Sequence, residues 1–419
     1  MLGRIRHLLS DLRRWLSRHL RAVAGLVAGT IVLAAAIVWL LAGGDSSDEV
    51  AAGAPGPQVL IREAPAPAEP ADLGFPAFAT KNTTRVAGAD PIADAAGVAL
   101  AVDPASGGVP GPDAVTLVDV GQWQAAIAAA SLVAAPIGAP ILLTDAGELP
   151  ELTENAIAAL APKGSAATAG RAAFVIGDAV APDGLADLEV SGSEPAELAA
   201  EIDRLRDRLA GAPEHVLIAS SDEPAFAMPA AGWAARSGDP VLFVERDRVP
   251  APTARALEAY KRVPVYVLGP EDAISAKTVK RLEDLTSAGV QRVGAADPVA
   301  SSVEFARYSS ETFGWNINDP GHGFVIASAD RPLDAAAAAP LSASGTWGPL
   351  LVSDRRDTPP PDLRGYLLDL KPGYETDPTR AVYNHLWLIG DESALSVGFQ
   401  AQVDELAEVA PVSSGPGAD

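Results

Sequence analysis

The chain has 419 residues, a formal net charge of −23 and a hydrophobic content of 48%. A protein of this length is expected to form two or three domains. The negative charge argues against nucleic-acid binding, which needs a basic surface that displaces counterions. The absence of cysteine excludes disulfide bonds, thiolate metal ligands and a cysteine nucleophile.

Residues 22–42 form an uncharged apolar segment that predicts a transmembrane helix. As a helix this segment would rise about 30 Å, enough to cross the hydrocarbon core of a bilayer. Residues 1–21 contain six arginines and one acidic residue, whereas acidic residues follow the segment. The positive-inside rule therefore predicts a cytoplasmic N-terminus and an extracytoplasmic location for the residues after 42. A cleaved signal peptide is the alternative interpretation.

Three further segments lack the pattern of a globular domain. Residues 1–21 repeat leucine and isoleucine at spacings of three and four, which predicts a basic amphipathic helix on the anionic inner leaflet. An orientation signal alone is the other interpretation of this segment. Residues 43–79 are rich in proline, alanine and acidic residues and predict an extended tether. Residues 411–419 predict a disordered tail.

The remaining residues, 80–410, repeat a pattern with a period of about 100 residues. Residues 216–224 (VLIASSDEP) parallel residues 324–332 (FVIASADRP), and an alanine-rich helical stretch follows each. Continuous apolar strands that alternate with helices are typical of parallel sheets covered on both faces. The sequence therefore predicts an α/β fold of three tandem Rossmann-like repeats with short parallel sheets, preceded by a single transmembrane helix. The predicted repeats are residues 80–187, 188–289 and 290–410.

Each repeat begins with an acidic residue directly before a proline, at Asp90, Glu194 and Asp297. An acidic residue is favourable at the positive end of a helix, and proline is well tolerated at the first helical position. We therefore predict that a helix starts at each of these positions.

Several segments resemble the repeat of the cell wall binding repeat 2 family. Residues 140–143 (PILL) match its second strand, and residues 265–269 (VYVLG) with residues 273–275 (AIS) match its last strand and the following turn. Residues 85–90 (RVAGAD) match its opening, and Arg292 begins a similar segment. The resemblance covers about 330 residues. It implies three Rossmann-like modules in a compact trimeric arrangement that attach to anionic polymers of a Gram-positive wall without catalysis.

The chain departs from the family pattern at these openings. The family's second arginine and its aromatic residue are replaced by Pro91-Ile92 and Pro298-Val299, and the middle repeat has Glu189 near the position of the first arginine. Residues 1–42 carry +5, so the rest of the chain carries −28. Binding of an anionic polymer would therefore need a local basic cleft.

Five arginines are the candidate polymer-binding residues. The resemblance implies the first two, and the others are additional basic residues of the third repeat. A solvated or salt-bridged surface arginine is the alternative interpretation of each. The candidates are Arg85, Arg292, Arg331, Arg355 and Arg356.

The sequence predicts no catalytic residue, no metal site and no cofactor. It contains no nucleophile elbow, no P-loop and no dinucleotide-binding glycine motif. Its five histidines lack metal-ligand spacing and are interpreted as structural. Asp119, Asp222 and Asp330 lie near the carboxyl ends of predicted strands, where α/β proteins place ligand sites. A helix cap or turn after each strand is the alternative interpretation.

Together these features predict a membrane-anchored, non-catalytic protein of a bacterial cell envelope. Its partners would be the lipid bilayer, through residues 22–42, and an anionic wall polymer or an envelope protein, but not nucleic acid. The membrane protein would be single-pass, with a cytoplasmic N-terminus and extracytoplasmic repeats that bind wall polymer. The alternatives are a scaffold that recruits another envelope protein and, less favoured, a hydrolase or transferase acting on wall glycans at the strand ends.

Overall fold

This computed structural model describes residues 76–105 and 110–412 of the chain. Three mainly parallel sheets form the framework of this part. Helices separate the strands along the chain, so the prediction of an α/β fold with short parallel sheets is confirmed. The predicted transmembrane helix at residues 22–42, the basic segment before it and most of the tether and tail lie outside the described residues. None of the helices within the described residues is both long and apolar enough to cross a bilayer.

The first sheet has strand order β4-β3-β5-β6, and all its neighbouring strands are parallel. Two strands and a helix precede it in the chain. The elements are, in chain order, β1 (Pro76–Ala79), β2 (Thr83–Val86), α1 (Pro91–Val102), β3 (Val115–Asp119), α2 (Trp123–Ala129), β4 (Ile141–Thr144), α3 (Glu151–Leu160), β5 (Ala173–Ile176) and β6 (Asp187–Val190).

The second sheet repeats this arrangement with strand order β10-β9-β7-β8, again parallel throughout. Its elements are α4 (Pro195–Ala210), β7 (Val216–Ser220), α5 (Pro224–Ser237), β8 (Val241–Val244), α6 (Ala251–Ala259), β9 (Val265–Leu268), α7 (Ala276–Glu283) and β10 (Val290–Val293).

The third sheet has strand order β1-β2-β14-β11-β12, in which only β1 is antiparallel to its neighbour. Strands β13 and β15, which come before and after β14 in the chain, form a separate two-stranded parallel sheet. The elements are α8 (Pro298–Arg307), β11 (Gly323–Ser328), α9 (Pro332–Ala337), β12 (Leu350–Ser353), α10 (Pro361–Asp369), β13 (Gly373–Tyr374), β14 (His385–Ile389), α11 (Val397–Ala407) and β15 (Ala410–Pro411).

The third sheet is completed by a strand from the other end of the described chain. Strand β2 pairs with β14 in the same position in which β6 pairs with β5 and β10 pairs with β9. In each case the chain then enters the helix that leads to another sheet. The segments predicted to open the repeats, near residues 80, 188 and 290, therefore supply the fourth strands of neighbouring sheets.

The three helices that follow these strands begin where the sequence predicts. Helix α1 starts after Asp90, whose side chain accepts the N–H of Ala93 at 2.9 Å. Helix α8 starts after Asp297, which accepts the N–H of Ala300 at 2.9 Å. Helix α4 starts after Glu194, but this side chain makes no capping hydrogen bond.

Three equivalent helices, α2, α5 and α9, contact each other in the middle of the structure. Their alanines are almost completely buried in a hydrophobic cluster that reaches all three sheets. Small side chains let the helices approach closely, and larger side chains at these positions would overpack the core. The buried alanines include Ala125, Ala126, Ala128, Ala129, Ala230, Ala231, Ala234, Ala235, Ala335, Ala336 and Ala337.

Candidate functional site

Arg85 lies on β2 with only 2% of its surface exposed. Its Nε donates to Gln400 Oε1 at 2.8 Å. Its Nη1 donates to the carbonyl oxygens of Gly390 and Asp391 at 2.8 and 3.1 Å, and its Nη2 donates to that of Ser396 at 3.3 Å. Burial lowers the pKa of Arg85. The guanidinium therefore holds the turn after β14 against β2 and offers little surface to a ligand.

Arg292 occupies the equivalent position on β10 of the second sheet. Its Nη1 donates to Gly269 O at 2.7 Å and its Nη2 donates to Ile274 O at 2.6 Å, in the turn after β9. Partial burial lowers its pKa as well. The first sheet has exposed Glu189 on its edge strand β6 and lacks this contact. The two arginines that the family pattern singles out thus stabilise strand-end turns in two different sheets.

Arg331 lies between two buried carboxyl groups at the carboxyl edge of the third sheet. Its Nη2 is 2.6 Å from Asp94 Oδ2, and its Nε is 2.8 Å from Asp334 Oδ2. The other oxygen of Asp94 accepts the N–H groups of Gly88 and Gly390 at 2.8 and 3.2 Å. This cluster joins α1 to α9 and β14, and hence the first helix of the described chain to its last sheet.

Asp94, the acidic partner of Arg331 on α1, has no acidic counterpart on α4 or α8. At the equivalent position, four residues after the helix cap, α4 has Leu198 and α8 has Ser301. The Ser301 hydroxyl accepts the N–H of Ala295 at 2.8 Å, much as Asp94 accepts that of Gly88. Only the aspartate adds an ion pair.

Two carboxyl groups share one arginine in this cluster, which perturbs their protonation. The pKa of Asp94 is raised to about 9, mainly by burial and then by the charge of Asp334, while Arg331 opposes the shift. Burial raises the pKa of Asp334 to about 7, again opposed by Arg331, with smaller upward contributions from Asp90 and Asp391. Among the described residues, no hydrogen-bond donor other than the ion-paired Arg331 reaches the Asp334 oxygens.

Arg355 and Arg356 are exposed in the loop after β12. Arg356 Nε donates to Glu392 O at 2.9 Å, in the same turn that Arg85 holds. Arg246, in the loop after β8, makes the matching contact with Asp272 O at 3.0 Å. Sequence reasoning missed Arg246. The signal that identifies it is its position just after the second strand of its sheet, like that of Arg356.

The structure therefore brings together only some of the predicted arginines. Arg85, Arg331 and Arg356 converge on residues 390–396, whereas Arg292 lies at the corresponding turn of another sheet. No hydrogen bond or ion pair of the Arg355 side chain is observed among the described residues. Polymer binding by these five residues stays a prediction.

The three aspartates at the strand ends have different surroundings. Asp119 is buried and accepts the N–H of Gly121 at 2.8 Å, which fits the interpretation as a turn residue. Asp222 accepts the N–H of Arg246 at 3.3 Å, while Asp330 is exposed. Within residues 76–105 and 110–412, no group of three or more His, Asp or Glu side chains is arranged to hold a metal ion.

A second polar cluster lies at the opposite, amino edge of the second sheet. His215 is buried, and its Nδ1 is 3.0 Å from Asp239 Oδ2. Asp239 also accepts the backbone N–H of His215 and the indole N–H of Trp233, both at 2.9 Å. The other ring nitrogen, Nε2, lies 2.9 Å from the hydroxyl of Thr312 in the loop before β11. The sequence interpretation of His215 as structural agrees with this burial.

Cwp6 and Cwp8 are two of the solved structures that share this fold. Cwp6 from Clostridium difficile superposes with a TM-score of 0.60 at 19% identity, over 78% of this chain and 47% of that one. Cwp8 from Clostridium difficile gives a TM-score of 0.60 at 17% identity, over 78% of this chain and 52% of that one. The chain thus spans about half the length of each. No family model and no curated protein sequence matches it.

We predict that Arg85→Met destabilises the protein by about 3 kcal/mol, because each carbonyl left buried and unpaired costs about 1–3 kcal/mol. Urea unfolding of the purified variant measures this loss. Arg292→Met should cost less, since that side chain is more exposed and pairs with fewer carbonyls. The exposed Arg355→Met is the control and should change stability by less than about 0.5 kcal/mol. Equal stabilities of the Arg85 and Arg355 variants would contradict the structural role.

The buried carboxyl pair predicts a pH dependence of stability. Because the pKa values of Asp94 and Asp334 are raised on folding, the native state binds protons more tightly than the unfolded chain. Their favourable contribution is present at low pH and is lost as the pH rises through about 7 to 9.

Asp334→Asn should therefore flatten the decline of unfolding free energy between about pH 5 and about pH 9. Urea unfolding at several pH values tests this, with the exposed Asp330→Asn as the matched control. Parallel curves for the wild type and Asp334→Asn would show that the pair does not titrate as described.

Proposed function

We propose that this protein is a non-catalytic, cell-wall-associated component of a bacterial envelope that attaches to wall polymer through its three α/β units. The observation that carries this proposal is the shared fold with two C. difficile cell wall proteins, Cwp6 and Cwp8, over 78% of the chain. The repeat pattern found in the sequence is independent support.

The proposal includes a membrane anchor at residues 22–42 with the N-terminus in the cytoplasm. The support is the contrast between the basic residues before this segment and the acidic residues after it. A proline-rich tether of residues 43–79 could extend on the order of 100 Å, at roughly 3.1 Å per residue. That length would hold the α/β units away from the bilayer and within the wall.

One polar cluster, at the amino edge of the second sheet, has side chains in the order of a catalytic arrangement. Asp239, His215 and Thr312 have the hydrogen-bond order of a hydrolase triad. In many hydrolases the N–H of the residue after the nucleophile stabilises the oxyanion. Here the N–H of Phe313 donates to Ser310 O at 2.9 Å and is already paired.

A scaffold that recruits another envelope protein is the second candidate function. The charge of −28 on residues 43–419 favours it, because an acidic surface attracts a basic protein and repels an anionic polymer.

Attachment is tested by sedimentation of the full-length protein, purified in detergent micelles, with isolated cell walls. We expect the protein to pellet with intact walls and to remain in solution after the secondary wall polymers have been removed. A sample without walls controls for self-association. Failure to bind either preparation would contradict attachment and favour the scaffold.

The topology is tested by adding protease to intact spheroplasts. We expect residues 80–410 to be degraded while residues 1–21, detected with an N-terminal epitope tag, remain protected. Protection of residues 80–410 until the cells are lysed would contradict the proposed orientation.

A further inference from the structure

A cleft of about 310 Å³ opens between the amino edge of the second sheet and the loop that precedes β11. One wall is formed by Glu214, before β7, and by Arg236, at the end of α5. Thr312 and Gly314 form the other wall. All three of the polar residues Glu214, Arg236 and Thr312 are exposed, so their side chains are accessible to a ligand.

The buried His215–Asp239 pair fixes one polar group of this cleft. Asp239 accepts from Nδ1 and from the backbone N–H of His215, so in the neutral ring the proton is on Nδ1 and Nε2 is an acceptor. The Thr312 hydroxyl then donates to Nε2. Its oxygen keeps lone pairs that can accept a hydrogen bond from a ligand in the cleft.

Arg236 supplies donors in a fixed position. Its guanidinium lies over the ring of Trp315, 5.3 Å from the ring centroid, and its Nη1 donates to Trp347 O at 3.2 Å. Among the described residues no carboxylate lies within ion-pair distance of Arg236, and its other N–H groups have no protein acceptor. A planar donor group that is held by stacking offers its free N–H groups to oxygen acceptors of a ligand, which include sugar hydroxyls as well as phosphate oxygens.

Trp347 adjoins the lining of the cleft through its backbone carbonyl, which accepts the hydrogen bond from Arg236, and it has a strained backbone and an exposed side chain. Its φ is +62°, in the left-handed region that bulky side chains rarely adopt, at a cost of about 1–3 kcal/mol. Its surface is 58% exposed. A strained backbone that presents a large aromatic ring to solvent is more typical of a binding site than of the core. Such a ring can pack against the apolar face of a sugar ring.

The charges in and around the cleft favour the sugar units of a wall polymer over its phosphate groups. Residues 43–419 carry −28, and the cleft itself contains the acidic Glu214 beside the cationic Arg236. A phosphate group would gain the contact with Arg236 but would be repelled by Glu214 and by the net negative charge of the chain. A sugar hydroxyl both donates and accepts, so it can donate to Glu214 or Thr312 and accept from Arg236.

We propose that this cleft binds an uncharged saccharide unit of the wall polymer, with Trp347 stacking on the sugar ring and Arg236, Glu214 and Thr312 bonding its hydroxyl groups. This inference rests on the proposed attachment to wall polymer and assigns the recognition to sugar instead of phosphate. It also places the site away from the five arginines that the sequence singles out.

The test uses the full-length protein in detergent micelles and three probes. These are the neutral oligosaccharides released from isolated walls by hydrofluoric acid, which cleaves phosphodiesters, together with glycerol phosphate and inorganic phosphate. Calorimetry measures affinity, and acrylamide quenching of tryptophan fluorescence reports whether an exposed ring becomes covered. We expect the oligosaccharides to bind with little dependence on salt and to reduce the quenching, whereas the two phosphate probes do not bind.

Trp347→Ala and Arg236→Gln should each weaken oligosaccharide binding by about tenfold or more, the usual effect of removing an aromatic or arginine anchor. Tyr383→Ala, which removes another exposed aromatic ring (55% exposed), and Arg281→Gln, which removes an exposed arginine of α7, are the matched controls and should bind like the wild type. Circular dichroism and thermal unfolding of each variant verify that it is folded.

The outcomes separate the site from the proposed function. Wild-type affinity in both cleft variants, or binding of the phosphate probes alone, would overturn the saccharide site even if the protein still pellets with walls. Loss of wall pelleting in the wild type would instead overturn the proposed attachment. Failure of the released oligosaccharides to bind wild-type protein would overturn the saccharide site directly.

Discussion

The parallel pairing of β2 with β14 is the contact on which the arrangement of the three sheets depends. It joins residues 83–86 to residues 385–389, so the beginning of the folded chain completes the sheet formed by its end. Two polar contacts stabilise the same junction: the carbonyl bonds of Arg85 and the hydrogen bond from Arg331 to Asp94. Without this pairing, the third sheet would expose the edge of β14 and α1 would lose its partners on α9 and β14.

The pairing of β2 with β14, which closes the chain into a ring of three units, also accounts for the alanine-rich centre. When three similar units surround a common point, the helix that follows the first strand of each unit meets its two counterparts. The space between three helix axes is small, and alanine fills it without overpacking. The position of these alanines thus follows from the same constraint that brings β2 to β14.

The sequence predicts local structure well in this protein and distant contacts poorly. Apolar runs such as residues 141–144 are strands, and the acidic residues before Pro91 and Pro298 cap helices, because these features depend on neighbours in the chain. The partner of β2 could not be predicted, because an apolar run indicates burial but not which strand it pairs with. Membrane attachment and the location of the repeats stay predictions.

The same limit applies to the candidate site. Arg85 belongs to a sequence pattern that suggests binding, and only its burial beneath residues 390–396 shows that it holds a turn. The cluster of His215, Asp239 and Thr312 combines residues 24 and 97 positions apart, so no local spacing reveals it. Trp347 is informative only because the structure leaves it exposed.

Hydrogen exchange, followed by mass spectrometry on peptides that cover β2, β11 and β14, tests the closure of the chain most directly. If β2 is an integral strand of the third sheet, its amides exchange as slowly as those of β11 and β14 and become exposed in the same unfolding event. Rapid exchange of residues 83–86 while β11 and β14 stay protected would contradict the account.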